Sequence, residues 1–392
     1  MSKSRTRVVM AMSGGVDSSV AAYLLKKEGY DLFGVFMKNW HDSSVTISKE
    51  CPWLEDSYDA MLVCEKLSIP FQVVDLSKEY KKKIVDYMFN EYKNGNTPNP
   101  DVLCNKEIKF DLFLKIAIDL GADFIATGHY AQIKKSKIDE KTIFHLISGK
   151  DNLKDQSYFL CQLNQYQLSK TIFPIGNLTK IMVRKIAKDN NLVTAQKKDS
   201  QGLCFIGKVK LPDFLQQKLK PKKGIVVLIE KTHELYSNKV NNNNIENLSN
   251  TYSYCVEQGS IIGQHNGAHF YTIGQRKGLS IGGMEKPLYV ICNDVENNIL
   301  YVGEGSEHPG LFRSVLKVSL KNFHYISNNK EIINKKNLKA RIRYRQALQN
   351  VTIMKKEKFY YFKFLEAQKS ITSGQFVAVY DKKELVCSGI IN

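Results

Sequence analysis

None of the eight cysteines forms a Cys-x-x-Cys pair, so a zinc ribbon or a simple iron–sulfur signature is absent. No apolar run approaches the ~18 residues that a membrane span requires. The basic start Met1-Ser2-Lys3-Ser4-Arg5-Thr6-Arg7 is followed only by Val8 to Met12 before a glycine motif, too short for the apolar core of a secretory signal. Export is therefore not expected, and the cysteines read as reduced thiols of a cytoplasmic protein. Arginine is scarce, at eight of the 57 basic residues, and acidic residues number only 39, which leaves a formal charge of +18. A surplus of that size suits a polyanionic partner such as nucleic acid. A lysine-, asparagine- and isoleucine-rich skew also arises from nucleotide bias in a genome, so the motifs must decide. With 43% hydrophobic and 10% aromatic residues over 392 positions, the chain is rich enough to fold and long enough for two or three domains.

The pattern reads as α/β at the start. Arg7 to Met12, Asp31 to Met37, Phe71 to Asp75 and Asp123 to Thr127 are short buried-strand runs. Between and after them lie helical stretches at Val16 to Lys27, Tyr58 to Leu67, Asp101 to Leu120 and Thr179 to Asn190. That alternation implies a doubly wound parallel sheet over residues 1–212. A small central β-rich domain is expected over 213–286, with strand-like runs at Gly224 to Glu230 and His269 to Ile273. A C-terminal antiparallel barrel or sandwich is expected over 287–392, from Leu288 to Cys292, Leu300 to Val302, Ala340 to Tyr344, Tyr360 to Phe364 and Phe376 to Tyr380. Asn241 to Asn250 is a low-complexity polar stretch, read as a surface loop.

The segment Ser13-Gly14-Gly15-Val16-Asp17-Ser18-Ser19 joins the first strand to the first helix. Two glycines allow a tight turn that aims backbone N–H groups at an anion, and the helix end adds partial positive charge. Ser13, Ser18 and Ser19 add hydroxyl donors, and Asp17 could place a magnesium ion on phosphates; no resident metal site is otherwise assigned. The spacing is neither a Walker A loop nor G-x-G-x-x-G. It resembles the S-G-G-x-D-S loop of the PP-loop ATP pyrophosphatases, which implies ATP, release of pyrophosphate and transfer of AMP to a substrate oxygen. Met37 and Gly128-His129 fall at strand ends that flank the crevice of such a sheet, which suits Met37 to an adenine contact, Gly128 to close approach of the nucleotide and His129 to a substrate contact.

Two cysteines have unusual surroundings. In Asn96-Thr97-Pro98-Asn99-Pro100-Asp101-Val102-Leu103-Cys104 the prolines force an extended approach and Asp101 reads as the N-cap. Cys104 then falls in the first helical turn, where the helix end favours thiolate. Cys204 lies between Gly202 and Gly207, on a segment suited to carrying a thiol into a crevice. The other six cysteines read as small buried hydrophobes.

S-G-G-V-D-S at 13–18, T-P-N-P-D-V-L-C-N at 97–105, A-T-G-H-Y at 126–130, K-D-Q-S-Y-F-L at 154–160, D-S-Q-G-L-C-F-I-G at 199–207, Y-T-I-G-Q-R-K-G-L at 271–279 and R-Y-R-Q at 343–346 together resemble the bacterial tRNA-specific 2-thiouridylases. The likeness runs in order from about residue 6 to the end; the Asn-rich stretch near 241–250 is extra length. It implies ATP held by Ala11, Met12, Ser13, Gly14, Gly15, Val16, Asp17, Ser18, Met37 and Gly128, with Mg2+. It implies Cys204 as the persulfide carrier, loaded by an upstream sulfur carrier or cysteine desulfurase, Cys104 as its nucleophilic partner, with a Cys104–Cys204 disulfide as one outcome, and Asp101 as acid/base. Asn99, Pro100 and Asp101 match the segment that holds the target base, while His129, Lys154, Asp155, Gln156, Arg343, Tyr344 and Gln375 match tRNA contacts. Lys339, Arg341, Arg343 and Arg345 also alternate, which would set them on one face of a strand. Competing with this are a PP-loop synthetase acting on a small molecule, with both cysteines structural, and a tRNA-binding protein with a vestigial loop.

Overall fold

The computed structural model describes residues 6–39, 52–199, 214–240, 244–327 and 329–392. Its first unit is a five-stranded sheet built from β1 (Arg7–Met12), β2 (Asp31–Lys38), β3 (Phe71–Asp75), β4 (Phe124–Ala126) and β7 (Thr171–Ile172). The order is β3-β2-β1-β4-β7, with every neighbouring pair parallel. A parallel sheet is covered on both faces, so its strands must be apolar on both sides; Val8, Val9 and Met10 are fully buried. One face packs against helices Val16–Lys27, Pro52–Lys66 and Lys180–Asp189 through Val20, Ala60 and Val183. The other packs against the helical stretches 77–93 and 100–119 through Tyr80, Met88, Ile108 and Phe113. Gly29 and Gly121, at φ +84° and +78°, end two of these helices in the left-handed conformation that glycine adopts at no steric cost.

The chain leaves β1 toward β2 and β3, then returns to lay β4 and β7 on the other side. The switch point is therefore between β1 and β4, and the loops after both strands open onto one crevice.

Three expectations need correction. The boundary at 287 is misplaced. Strands β10 (Leu288–Asp294) and β11 (Ile299–Glu304) pair with each other, and β11 with β8 (Gly224–Leu228), which in turn pairs with β9 (Ser260–His265). Val226, Val290, Leu300 and Val302 share one core, so residues 288–304 belong to the central unit. Alternation shows that a strand exists but not which sheet takes it. The run His269 to Ile273 is not a strand: Ala268–Phe270 forms a 3₁₀ turn. The strand expected at 340–344 is Lys339–Arg341, after which Arg345 at φ +64° and a Gln346-to-Arg343 bond turn the chain. The four basic residues therefore do not share one strand face: Arg341 is buried, and Arg343 and Arg345 stand on the turn.

The C-terminal unit curls β12 (Phe312–Ser319), β16 (Phe359–Lys369), β15 (Gln349–Lys356), β14 (Lys339–Arg341), β17 (Phe376–Asp381) and β18 (Glu384–Ile390) into an antiparallel barrel, with β13 (Phe323–Tyr325) beside β18. The Asn392 N–H donates to the Lys317 carbonyl at 3.0 Å and draws the last residue onto β12. The sequence reading missed a hairpin, β5 (Ala131–Ile138) and β6 (Lys141–Ser148), which leaves the first unit and joins this sheet through Leu146 and Ile147 opposite Leu385 and Glu384. Beside it Arg341 meets Asp155 at 2.5 Å, the two side chains 7% and 6% exposed. Asp155 also accepts from the N–H groups of Gly149 and Ser157 and the Ser157 hydroxyl, while Tyr380 accepts from Arg341. Among the described residues, no helix is long and apolar enough to cross a membrane.

Arg341→Ala would strand the buried Asp155 carboxylate and should cost about 3–5 kcal/mol of stability. Denaturant unfolding should show a smaller loss for the double variant with Asp155→Asn, and equal losses would refute the coupling. Burial lowers the pKa of His129, His265, His269, His308 and His324. The folded protein thus binds fewer protons than the unfolded chain below an ordinary histidine pKa of about 6.5. Stability contributed by these rings is present above that pH and lost as pH falls, by up to about 1.4 kcal/mol per ring per unit. Melting at pH 5.5 should lie clearly below melting at pH 7.5; a flat profile would contradict this.

Candidate active site

The phosphate loop follows directly from β1. Gly14 takes φ +70°, and a Cβ there would sit 2.1 Å from the Asp56 carbonyl oxygen. Gly15 is the extended N-cap of helix Val16–Lys27. The Ser18 and Ser19 hydroxyls both donate to the Gly15 carbonyl, at 3.0 and 2.8 Å, and the Ser13 N–H donates to Ser18 Oγ at 3.2 Å. Ser18 and Ser19 therefore hold the loop's shape rather than offering protons outward, and the exposed Ser13 hydroxyl lies 3.1 Å from that of Ser18. Across the switch point, a Cβ on Gly128 would lie 2.7 Å from Ser18 N and 2.8 Å from Asp17 C. The loop after β4 thus presses on the first turn of the helix, and only glycine fits. The two glycine turns and the helix N-terminus form a cradle of the kind that accepts a polyphosphate.

Asp17 faces that cradle with its carboxylate engaged. Tyr130 donates to Oδ1 at 2.7 Å, and Lys180 Nζ lies 2.8 and 2.9 Å from the two oxygens. Burial and then the Asp17 charge push the Tyr130 phenol far above its ordinary pKa, so it remains a donor. Lys180 also reaches Asp199 at 2.8 Å, which Lys154 and Arg184 meet at 2.6 and 2.7 Å. Burial pushes the Asp199 carboxyl up, but hydrogen bonds from Lys154 and Lys180 outweigh it and hold the group well below the usual carboxylate range. The sequence reading passed over Lys180, Arg184 and Tyr130. One signal was there: Lys180 opens a helix capped by Thr179, the end at which a cation is disfavoured unless anions face it.

Met37 lies at the end of β2 but is 4% exposed and packs into the core, so any nucleotide contact would run through its main chain. His129 is 8% exposed, between the Phe110 and Phe173 rings, with Nδ1 2.7 Å from Thr127 Oγ1. Burial, then Lys109, depresses its pKa well below the ordinary value, leaving a neutral ring.

The helical stretch 100–119 precedes β4, so its start lies at the crevice edge of the sheet. The N-cap is Asn99 rather than Asp101: Asn99 Oδ1 accepts from Val102 N at 3.2 Å and Pro100 takes the first helical position, which needs no N–H. Cys104 therefore sits two residues further in, past the first turn, fully buried, at the start of the π-helical run Cys104–Leu112. The helix-end field has largely decayed there, so that ground for activating its thiol is removed. Asp101 is half-buried in the first turn. From the C-terminal unit, Gln375 Nε2 donates to the Thr97 and Pro98 carbonyls at 2.9 and 3.2 Å, and its Oε1 accepts from Asn99 at 3.2 Å. Tyr344 packs on Phe159 with ring centroids 4.5 Å apart, and the exposed Arg343 donates to the Ser370 carbonyl. Gln156 is spent on the Tyr130 N–H, and Asp155 on the buried bridge. Cys204 lies outside the described residues.

Family profiles cover this architecture. One described as a tRNA methyl transferase HUP domain matches residues 6–208, a tRNA methyl transferase PRC-barrel domain residues 250–304, and an aminomethyltransferase beta-barrel domain residues 315–391. The tRNA-specific 2-thiouridylase MnmA of Christiangramia forsetii is 56% identical over 98% of this chain and the whole of that protein. Its namesake from Flavobacterium johnsoniae is 57% identical with the same coverage. Among solved structures, the NMN synthetase of Francisella tularensis aligns with 50% of this chain and 66% of its own, at 17% identity and a TM-score of 0.31. The 56–57% identity to the two 2-thiouridylases, sustained over 98% of the chain, shows that the chain belongs to the family of tRNA-specific 2-thiouridylases.

Proposed function

We propose that this protein converts the wobble uridine of certain tRNAs to 2-thiouridine, using ATP to activate the base and a cysteine persulfide to deliver sulfur. The observation that carries this reading is the S-G-G-V-D-S cradle at the switch point, opening onto the same sheet edge as the start of the helix that bears Cys104. A carbonyl oxygen is a poor leaving group, so direct exchange of oxygen for sulfur at C2 is slow. The C2 oxygen attacks the α-phosphorus of ATP, pyrophosphate departs, and AMP then makes a good leaving group.

Ser13, Gly14, Gly15, Val16 and Gly128 line the phosphate end of this substrate, with Ala11, Met12 and Ser18 shaping the loop and the Met37 main chain at the base end. Mg2+, when bound, neutralises phosphate charge, and Asp17 is the carboxylate placed to hold it. The persulfide sulfur of Cys204 attacks C2 and AMP leaves with the original oxygen. That leaves C2 joined to Cys204 through an S–S bond, which the Cys104 thiolate breaks by attacking Cys204 Sγ, so that 2-thiouridine departs and a Cys104–Cys204 disulfide forms; in the other order, Cys104 attacks the persulfide first, the same disulfide forms, and the sulfide set free attacks C2. Asp101, in the first helical turn, moves the proton.

The target base must leave its stack to enter the crevice. Asn99 and Pro100 hold it, and Gln375 fixes their backbone from the C-terminal unit. His129 contributes as a neutral ring, Arg343 and Lys154 as cations toward phosphate, and Tyr344 and Gln156 as neighbouring contacts. Asp155 acts by positioning Arg341. The setting is the cytoplasm, where thiols stay reduced, and an upstream sulfur carrier or desulfurase loads Cys204.

Unmodified tRNA incubated with the protein, Mg-ATP and a persulfide donor (a cysteine desulfurase with cysteine) should yield 2-thiouridine by nucleoside mass spectrometry, and none without ATP. Cys204→Ser should abolish the product while pyrophosphate release persists; loss of both would contradict the division of roles. Gly128→Ala should drive a methyl group into the first turn of the loop helix and weaken ATP binding at least about tenfold, since one misplaced contact to a charged ligand costs about 1.5–3 kcal/mol. Unchanged affinity by calorimetry would place the nucleotide elsewhere.

A further inference from the structure

Lys180 is held in a way that an ordinary surface ion pair is not. Its ammonium group is within hydrogen-bond distance of three carboxylate oxygens, both of Asp17 and one of Asp199, which uses all three of its protons. Its side chain is 12% exposed, whereas Asp17 and Asp199 are 33% and 34% exposed and so still open to the crevice. It stands at the first position of a helix, the end that favours anions. The Lys180 backbone N–H is committed to Asp151 Oδ2 at 2.9 Å, which pins the residue while its side chain extends to the loop. Two further cations, Lys154 and Arg184, already hold Asp199, so Asp199 would keep its partners if Lys180 left. Asp17 would keep the Tyr130 hydroxyl but lose the ammonium group that pairs with it.

We propose that Lys180 is a placeholder cation: without nucleotide it occupies the Asp17 carboxylate, and when a magnesium–nucleoside triphosphate enters it transfers to phosphate and yields Asp17 to the metal ion. This rests on the nucleotide reading above. The exchange leaves no group without a counter-charge, since a divalent ion replaces the ammonium on Asp17 and the ammonium finds a phosphate. The charge-assisted bonds given up at Asp17 are replaced by charge-assisted bonds to phosphate. Two consequences follow that a purely structural bridge would not produce. Lys180 should hinder binding of free Mg2+ to the empty protein, and it should strengthen binding of the nucleotide.

The test is calorimetric titration of MgCl2 alone, and of ATP with MgCl2, into the full chain and into Lys180→Met and Lys180→Gln, with melting curves as the check on folding. Gln retains two donors toward Asp17 and guards against a Met variant that does not fold. Expected for either variant are tighter Mg2+ binding in the absence of nucleotide and ATP binding weakened about tenfold or more, the scale of one charge-assisted contact. Weaker or unchanged Mg2+ binding with unchanged ATP affinity, in a folded variant, would reduce Lys180 to a structural bridge and overturn the proposal. Failure of the unaltered protein to bind ATP would instead bring down the nucleotide reading itself, and this inference with it.

Discussion

The buried pair of Arg341 and Asp155 is the constraint on which the rest of the arrangement depends. Each charge comes from a different unit, and neither side chain reaches water to any useful extent. Such a pair tolerates little displacement, because desolvation is repaid only when the geometry and the surrounding hydrogen bonds are intact. Ser157, Tyr380 and the Gly149 N–H complete that set. The barrel is thereby fixed in register against the segment after β4, and the hairpin β5–β6 extends the barrel's own sheet toward the first unit. From the start of the neighbouring strand β17, Gln375 and the Ser373 carbonyl clasp the Thr97–Asn99 backbone. The helix bearing Cys104 begins at the end of that clasped segment. Its position is consequently a property of two units, although every residue of the helix belongs to one.

This explains what could and could not be read in the sequence. The parallel sheet was legible because buried strands such as Arg7–Met12 are apolar on both faces and alternate with helices of ordinary length. The phosphate loop was legible because two glycines, an acid and hydroxyls at fixed spacing leave few other uses. The hairpin at 131–148 was not, since Lys134, Lys135, Lys137 and Lys141 break its apolar alternation and its partner strand lies more than 200 residues away. Sequence separation also hid the place of 288–304: the alternation of Leu288 to Asp294 is equally suited to either β-sheet, and only the pairing of Ile299–Glu304 with Gly224–Leu228 decides it. The strand through 339–345 failed for a local reason. Arg345 adopts a left-handed conformation that nothing in an alternating basic run announces.

At the site itself, residue type was readable and role was less so. Asp155 and Gln375 were expected at a ligand surface, yet both make hydrogen bonds to other parts of the protein, and the Gln156 side-chain oxygen accepts from the Tyr130 N–H. Motifs shared through a family mark residues a fold cannot lose, and positioning residues are lost as badly as contacting ones. His129 shows the same limit in electrostatic form. A histidine at a strand end suggests a titrating group, but the Phe110 and Phe173 rings desolvate it and deny it a charge near neutrality.

The charge arrangement around the loop gives the crevice its polarity. A helix N-terminus, a second helix N-terminus opened by Lys180, and the side chains of Lys154 and Arg184 all direct positive potential at one place. Asp17 and Asp199 balance it within the empty protein. Fields of this kind favour a polyanion most strongly where solvent is excluded, and the close approach of Gly128 to Asp17 and Ser18 leaves little room for water on that side. A negatively charged nucleotide and a negatively charged tRNA strand can then share one crevice only if cations are distributed between them. On the proposed reading, the carboxylates of Asp17 and Asp199 would keep those cations in place until the anions arrive, which would account for acidic residues at the heart of a phosphate-binding site.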